Sequence, residues 1–183
     1  MGMGLSLESM AIEMPAVHGH PNRAGFRGVL TMVDVASDKS PSGARGHRVL
    51  LTRRAAEAAI PSLMGMGLDY SPALDRHDAR RKIGVITRAE IVGRVIEVGG
   101  FLYAKDFPEI VAEIGKPGSA GLGSAGRNVC ASRAGLGMSY EIADALVEDI
   151  KASVWVLNRV TFTGAAVLRR DKAAYLSTWI ELG

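Results

Sequence analysis

The residues most able to do chemistry in this chain are a serine and a histidine that lie far apart in the sequence. Ser139 follows Gly135 and Gly137, which lack side chains and so leave space for a substrate backbone to approach. A serine hydroxyl is a weak nucleophile at neutral pH and needs a base within hydrogen-bond reach to take its proton. His77 is the candidate base. The pair predicts acyl-transfer chemistry, provided that the fold brings the two side chains together.

Short strands are the elements expected to position this pair. Tyr140 and Ile142 are strand-forming residues beside the serine. Residues 82–103 predict a meander of short antiparallel strands, and residues 154–163 predict a long strand. The meander would place His77 at the entrance of a strand, facing a cleft. The alternative is a surface histidine that merely neighbours aspartates.

The remainder of the chain predicts further strands and two brief helices. We expect strands over residues 26–36 and 47–51, a helix over residues 55–60 capped by Thr52, and a helix over residues 106–115 that begins with a capping box. Residues 63–68 are interpreted as a buried, flexible helix end. Residues 1–22 are predicted to form a disordered tail, and residues 23–183 a single β-domain.

Composition narrows the class of protein. The chain has 183 residues, 48% of them hydrophobic but only 5% aromatic, so one domain with an aliphatic core is expected. A formal charge of +3 from 22 basic and 19 acidic residues is too balanced to indicate a nucleic-acid surface. No apolar run is long enough for a membrane span.

Cysteine and the remaining histidines offer little further chemistry. The single cysteine, Cys130, excludes an intrachain disulfide, fits a reducing compartment and is predicted to be buried and structural. His18 and His20 form an H-x-H pair without a third ligand nearby, and we expect them to be solvated. The sequence therefore predicts neither a metal nor a cofactor.

From Leu74 onward the chain resembles the prohead (capsid maturation) proteases of tailed phages. The likeness covers about 110 residues and depends on the order of its motifs more than on any single motif. These are residues 76–78 (Arg-His-Asp), 83–86 (Ile-Gly-Val-Ile), 90–103, 106–109 and 136–142, followed by the apolar strand over residues 154–167.

This resemblance implies both a fold and an activity. The fold would be mainly β with short helices, a single antiparallel β-barrel of the assemblin and prohead-protease type with helices packed outside. Ser139 would be the nucleophile and His77 the general base of a serine endopeptidase that needs no metal or cofactor. Its substrates would be segments of phage scaffold and major capsid protein, and the chain itself. It would act in the host cytoplasm, inside the assembling prohead. The sequence leaves the oligomeric state open, a homo-oligomer included.

The third catalytic group and the oxyanion hole are less well specified. Where related phage proteases carry an acidic residue, this chain has Arg159, which leaves Thr161 or Asn158 to accept a hydrogen bond from the imidazole. Arg169 and Arg170 correspond to consecutive arginines that help to build the oxyanion hole in assemblins. The alternative for this arginine pair is a basic turn that pairs with Asp171.

Two other classes of function stay open. One is a non-catalytic capsid scaffold module that retains the barrel, which the missing acidic partner makes credible. The other is a small-ligand or nucleotide-binding β-domain that uses the G-x-G-x-x-G motif of residues 121–126. That motif is a weak signal, because a helix is predicted before it and a strand after it, the reverse of a dinucleotide-binding turn.

Overall fold

The computed structural model describes residues 19–116 and 135–183, which form a curled β-sheet with two short α-helices. Residues 1–18 and 117–134 lie outside this description, and with them most of the predicted tail, Cys130 and the G-x-G-x-x-G motif. The strands are β1 (Ala24–Met32), β2 (Arg48–Leu51), β3 (Gly67–Asp69), β4 (Lys82–Val92), β5 (Val95–Leu102), β6 (Leu136–Val147), β7 (Val154–Arg169) and β8 (Trp179–Leu182). The α-helices are α1 (Arg53–Ala59) and α2 (Pro108–Gly115), and short 3₁₀ helices cover Ser42–Ala44, Ile60–Leu63 and Arg170–Lys172.

Strand β7 organises the sheet because it has neighbours along both edges. The strand order is β2-β7-β3-β4-β5-β1-β8, and β6 pairs with the other edge of β7. Strand β6 runs antiparallel to β7, whereas β2 and β3 both run parallel to it and occupy successive parts of one edge.

The predicted single antiparallel barrel is therefore wrong in two respects, although the mainly β class with short helices is confirmed. The sheet contains parallel pairs, and within the described residues it is open, not closed. Strand β6 approaches the far end of the sheet through a contact between backbone and side chain: Met138 N–H donates to the hydroxyl of Thr178 (3.1 Å), which precedes β8. A curled half-barrel results.

The core is aliphatic, as the low aromatic content predicts. Of the largest fully buried side chains only one is aromatic, and each stabilises the fold by about 1.5–3 kcal/mol through burial. They are Leu30, Leu51, Leu63, Leu68, Ile83, Ile86, Ile96, Leu102, Ile110, Met138, Phe162 and Ile180.

Predictions from local sequence signals are largely confirmed. Thr52 is the N-cap of α1, and its hydroxyl accepts a hydrogen bond from Ala55 N–H (3.2 Å). Strands β4 and β5 form the expected hairpin, whose turn has Gly93 at φ +58°. Strand β2 and the long strand β7 also lie where the sequence predicts strands.

Three local predictions need correction. Strand β1 ends at Met32, because Asp34 adopts φ +54° and breaks the extended run. The predicted capping box of the second helix is absent: α2 begins at Pro108, and the Asp106 carboxylate instead accepts a hydrogen bond from Asn22 Nδ2 (2.7 Å). The predicted helix end over residues 63–68 overlaps the start of strand β3.

No helix within the described ranges is both long and apolar enough to cross a bilayer.

Candidate active site

Three adjacent strands form the floor of the candidate site. Ala166 of β7 pairs with Asp69 of β3 along one edge and with Ser139 of β6 along the other. Side chains of directly paired residues project from the same face of a sheet, and neighbouring strands lie about 4.8 Å apart. Asp69 and Ser139 therefore share a face at a Cα separation of about 10 Å, with only a methyl group between them.

Glu141 joins this face one step further along β6. It lies two residues after Ser139, a spacing that returns the side chain to the same face about 6.8 Å away, and it pairs with Gly164 of β7. Gly164 has no side chain to cover this position. A Cβ at residue 164 would lie 2.8 Å from Glu141 Oε2, so the glycine is what allows the carboxylate to lie over β7.

His77 lies above this floor and faces both carboxylates. Its Nδ1 atom is 3.3 Å from Glu141 Oε1 and 3.8 Å from Asp69 Oδ1. Nδ1 is buried but makes no well-aligned hydrogen bond to either oxygen. Because Nδ1 faces the acids, Nε2 is directed to the opposite side of the ring.

The segment between β3 and β4 carries His77 and is anchored to the sheet at two points. Asp78 N–H donates to Asp69 Oδ1 (3.1 Å), next to the histidine. Arg169 N–H donates to the carbonyl of Leu74 (2.7 Å), which adopts φ +52°. These contacts hold the imidazole over the sheet although it lies in an irregular segment.

Asp69 is the most deeply placed charged group of the site. Its side chain is fully buried and pairs with Lys82, whose Nζ lies 3.0 Å from Oδ2. Burial alone raises the pKa of Asp69, but the contacts with His77, Lys82 and Asp78 N–H outweigh it and hold that pKa below the ordinary value. The carboxylate therefore stays ionised beside the imidazole.

An open cleft gives access to these groups. Ser139, Glu141 and His77 all line one cavity of about 720 Å³. Its other walls include the loop of residues 40–43 and the side chains of Arg76 and Lys172. A cleft of this size accommodates several residues of an extended peptide or a small ligand.

The alternate residues of β6 point the other way and anchor the strand. Met138 is buried, and the Tyr140 ring packs edge-on against Phe162 at 5.6 Å between centroids. The buried Tyr140 hydroxyl makes no hydrogen bond to any described residue, and burial raises its pKa above the ordinary value. This packing fixes the direction in which Ser139 faces.

The structure places the other predicted site residues differently. The Thr161 hydroxyl lies 3.4 Å from Asp144 Oδ2, and Asn158 Nδ2 lies 3.3 Å from Glu148 Oε2, so the groups facing Nδ1 of His77 are carboxylates and not these two. Arg169 Nε lies 3.3 Å from Asp171 Oδ1, as the basic-turn alternative expects.

The backbone N–H groups of Arg169 and Arg170 already donate hydrogen bonds to backbone carbonyls. That of Arg169 donates to Leu74 O, and that of Arg170 donates to Gly135 O (2.7 Å). An oxyanion hole made from these two N–H groups would require both bonds to break. The basic groups that do line the cleft are Arg76 and Lys172.

Sequence reasoning missed both acidic residues of the site. Glu141 had a usable signal, since it follows Ser139 by two residues on a predicted strand and must share its face. Asp69 had none, because β3 has only three residues and its parallel pairing with β7 joins distant parts of the chain.

Comparison with known protein families gave no match, and searches among curated proteins and solved structures gave none either.

Proposed function

We propose that this chain is a serine endopeptidase in which Ser139 is the nucleophile and His77 the general base. The observation that carries the proposal is the meeting of distant segments: Ser139 and His77 line the same cleft, and Nδ1 of His77 faces two carboxylates. An imidazole that is oriented by a carboxylate and reaches a hydroxyl is the arrangement that activates serine, so the proposal requires Nε2 of His77 to come within hydrogen-bond reach of Ser139 Oγ.

The proposed reaction follows from the tautomer that the carboxylates favour. A proton on Nδ1, directed at Glu141 and Asp69, leaves the lone pair of Nε2 free to accept the Ser139 proton. The serine oxygen then bonds to the peptide carbonyl carbon, and the C–N bond breaks as Nε2–H returns the proton to the leaving amine. Water, deprotonated by the same Nε2, releases the acyl group and regenerates Ser139.

The two acids have different proposed roles. Glu141 lies nearer to Nδ1 and would orient the ring and stabilise the imidazolium. Asp69 is already paired with Lys82 and anchored by Asp78 N–H, so its charge is partly compensated and it would mainly position its neighbours. Arg76 or Lys172 would stabilise the developing oxyanion from the cleft wall.

The proposed substrates come from the resemblance to prohead proteases. They are extended segments of phage scaffold and major capsid protein, together with the chain's own ends, cleaved inside an assembling prohead in the host cytoplasm. The alternative, a non-catalytic capsid scaffold module, requires the same fold without a reactive serine.

A fluorophosphonate probe tests the proposal directly, since it forms a covalent bond only with an activated serine. We expect labelling of the full chain at Ser139, located by peptide mass spectrometry, and none in Ser139→Ala. His77→Ala should slow labelling by about 10²- to 10⁴-fold. The matched control is Ser42→Ala, because Ser42 lines the same cleft but has no proposed part in the reaction.

The complementary measurement is hydrolysis. Purified wild-type chain, alone or mixed with scaffold and capsid proteins, should yield new termini that Ser139→Ala does not produce. A folded wild-type chain that neither reacts with the probe nor cleaves these proteins would overturn the proposal in favour of the scaffold module.

A further inference from the structure

The acidic and imidazole groups of the site also have the spacing of metal ligands. Nδ1 of His77 and one oxygen each of Asp69 and Glu141 all lie within 4.8 Å of one another, and the two Nδ1 to oxygen distances are 3.3 and 3.8 Å. Bonds of about 2.1 Å around a tetrahedral Zn²⁺ separate neighbouring ligand atoms by about 3.4 Å. The third pair, the two carboxylate oxygens, lies within 4.8 Å, so closing such a site requires these oxygens to approach each other by up to about 1.4 Å, which rotation of the partly exposed Glu141 side chain can supply.

We propose that Asp69, His77 and Glu141 bind one Zn²⁺ ion, with a fourth position open to water from the cleft. One imidazole nitrogen and two carboxylates form a donor set that suits zinc. Nδ1 of His77 is buried and makes no aligned hydrogen bond to a described residue, so no existing bond must be broken for it to bind a metal. The side chain is nevertheless 21% exposed, which gives the ion a path from the cleft.

Lys82 sets the strength of this site. Its ammonium group lies against Oδ2 of Asp69, whereas the oxygen nearest His77 is Oδ1, so the lysine and the metal would use different oxygens of one carboxylate. The ammonium charge compensates one of the two carboxylates and repels a second cation. Zinc affinity is therefore moderate in the native chain and should rise when Lys82 loses its charge.

Zinc at this position would block serine chemistry, a consequence that rests on the proposed function. A neutral imidazole carries one proton, and when Nδ1 binds a metal that proton resides on Nε2. Nε2 then has no lone pair with which to accept the Ser139 proton. The same groups that activate the serine in the absence of zinc would switch it off when zinc binds.

Zinc binding to the full-length chain, measured by competition with a chromophoric chelator, tests the site without reference to activity. We expect one equivalent, weakened by roughly a hundredfold in His77→Ala and in Glu141→Ala, at least as much as the loss of an outer-sphere partner costs. Lys82→Met should bind zinc about tenfold more tightly. The His18→Ala/His20→Ala double variant and Cys130→Ser should bind as the wild type does, because neither changes the three ligands.

The readouts separate this inference from the proposed function. Absence of zinc binding, or binding that survives His77→Ala and Glu141→Ala in variants with wild-type thermal unfolding, overturns the zinc site whatever the probe shows. Fluorophosphonate labelling that zinc slows and a chelator restores supports both proposals. Zinc binding that depends on these ligands, in a chelator-treated chain that the probe does not label and that does not cleave scaffold or capsid proteins, supports the metal site and overturns the protease.

Discussion

Glu141 lies over Gly164, and its Oε2 atom is 2.8 Å from the point that a Cβ on residue 164 would occupy. The two residues are paired neighbours on β6 and β7. Real Cβ atoms do not approach an oxygen so closely, so any side chain at residue 164 must move the carboxylate that faces His77. The position of the acid therefore depends on a residue with no functional group.

Replacing Gly164 with alanine should impair the site while leaving the fold intact. The methyl group displaces Glu141 from Nδ1 of His77, and a displacement of about 1 Å costs up to about 10² in rate. The oxygen that it meets belongs to a flexible side chain, so the free energy of unfolding should change by no more than about 1 kcal/mol. Probe-labelling rates and urea unfolding measure the two effects.

Gly25→Ala is the matched control for that substitution. A Cβ at residue 25 makes only an ordinary contact, 3.6 Å from Gly183 O, and the residue does not line the cleft. Equal labelling rates for wild type, Gly164→Ala and Gly25→Ala would contradict a role for the position of Glu141 in activating Ser139.

The two acids should differ in their effect on reactivity. Glu141→Gln keeps the size of the side chain but removes the charge nearest to Nδ1. Its amide N–H can also donate to Nδ1, which favours the tautomer with the proton on Nε2. We expect a loss of about 10²- to 10⁴-fold in labelling rate. Asp69→Asn should cost less in rate, because Lys82 already compensates the Asp69 charge. The pH profile of labelling, recorded for both variants, measures this. A larger loss for a fully folded Asp69→Asn would reverse the assigned roles.

Acid should weaken the attachment of α2 to the sheet. The Tyr70 hydroxyl donates to Glu109 Oε1 (2.6 Å), and this bond holds the pKa of Glu109 below its ordinary value. A lowered native pKa favours the ionised, folded form, so the stabilisation is fully present above the unfolded-state pKa and is lost as the pH falls through the native one. Tyr70→Phe should therefore be less stable than wild type at about pH 6, and the difference should shrink towards about pH 3.

Thermal unfolding of the two proteins across this range checks the prediction. Tyr103→Phe is a suitable control, since its ring packs edge-on against Phe101 and the substitution preserves that contact. A stability difference between wild type and Tyr70→Phe that stays constant with pH would contradict the proposed linkage.

Two adjacent glycines of β5 should respond very differently to alanine. A Cβ at residue 100 would lie 1.9 Å from the Val85 carbonyl oxygen, which is backbone and cannot move cheaply, whereas a Cβ at residue 99 would lie 3.4 Å from Phe26 O. We expect Gly100→Ala to lower the free energy of unfolding by about 3 kcal/mol and Gly99→Ala to change it by less than about 1 kcal/mol. Urea denaturation measures both, and equal effects would contradict the close strand approach.

Features with local causes were the ones that the sequence predicted well. The Thr52 cap depends on a residue three positions away, and the β4–β5 hairpin on a turn at Gly93. The strand that carries Ser139 was also expected from its own residues. In each case the information lies within a few positions of the structure that it specifies.

Features with distant causes could not be predicted. The parallel pairing of β2 and β3 with β7 joins segments far apart in the chain, and nothing within the three residues of β3 indicates a strand. That pairing is what brings Asp69 to the site. The expectation for Thr161 as third member depends on its position in the motif order of prohead proteases, whereas the acids that face His77 reach it through the register of three strands.

Strand β7 has a consequence for how this chain tolerates change in length. Ala166 is the common pairing partner of Asp69 and Ser139, and side-chain direction alternates with every residue of a strand. Deleting a single residue from β7 upstream of Ala166 would either direct the side chains of the paired residues to the opposite face of the sheet or shift the pairing register of β3 and β6 by one residue. A substitution on this strand changes one side chain, whereas a change in its number of residues would displace every residue of the candidate site.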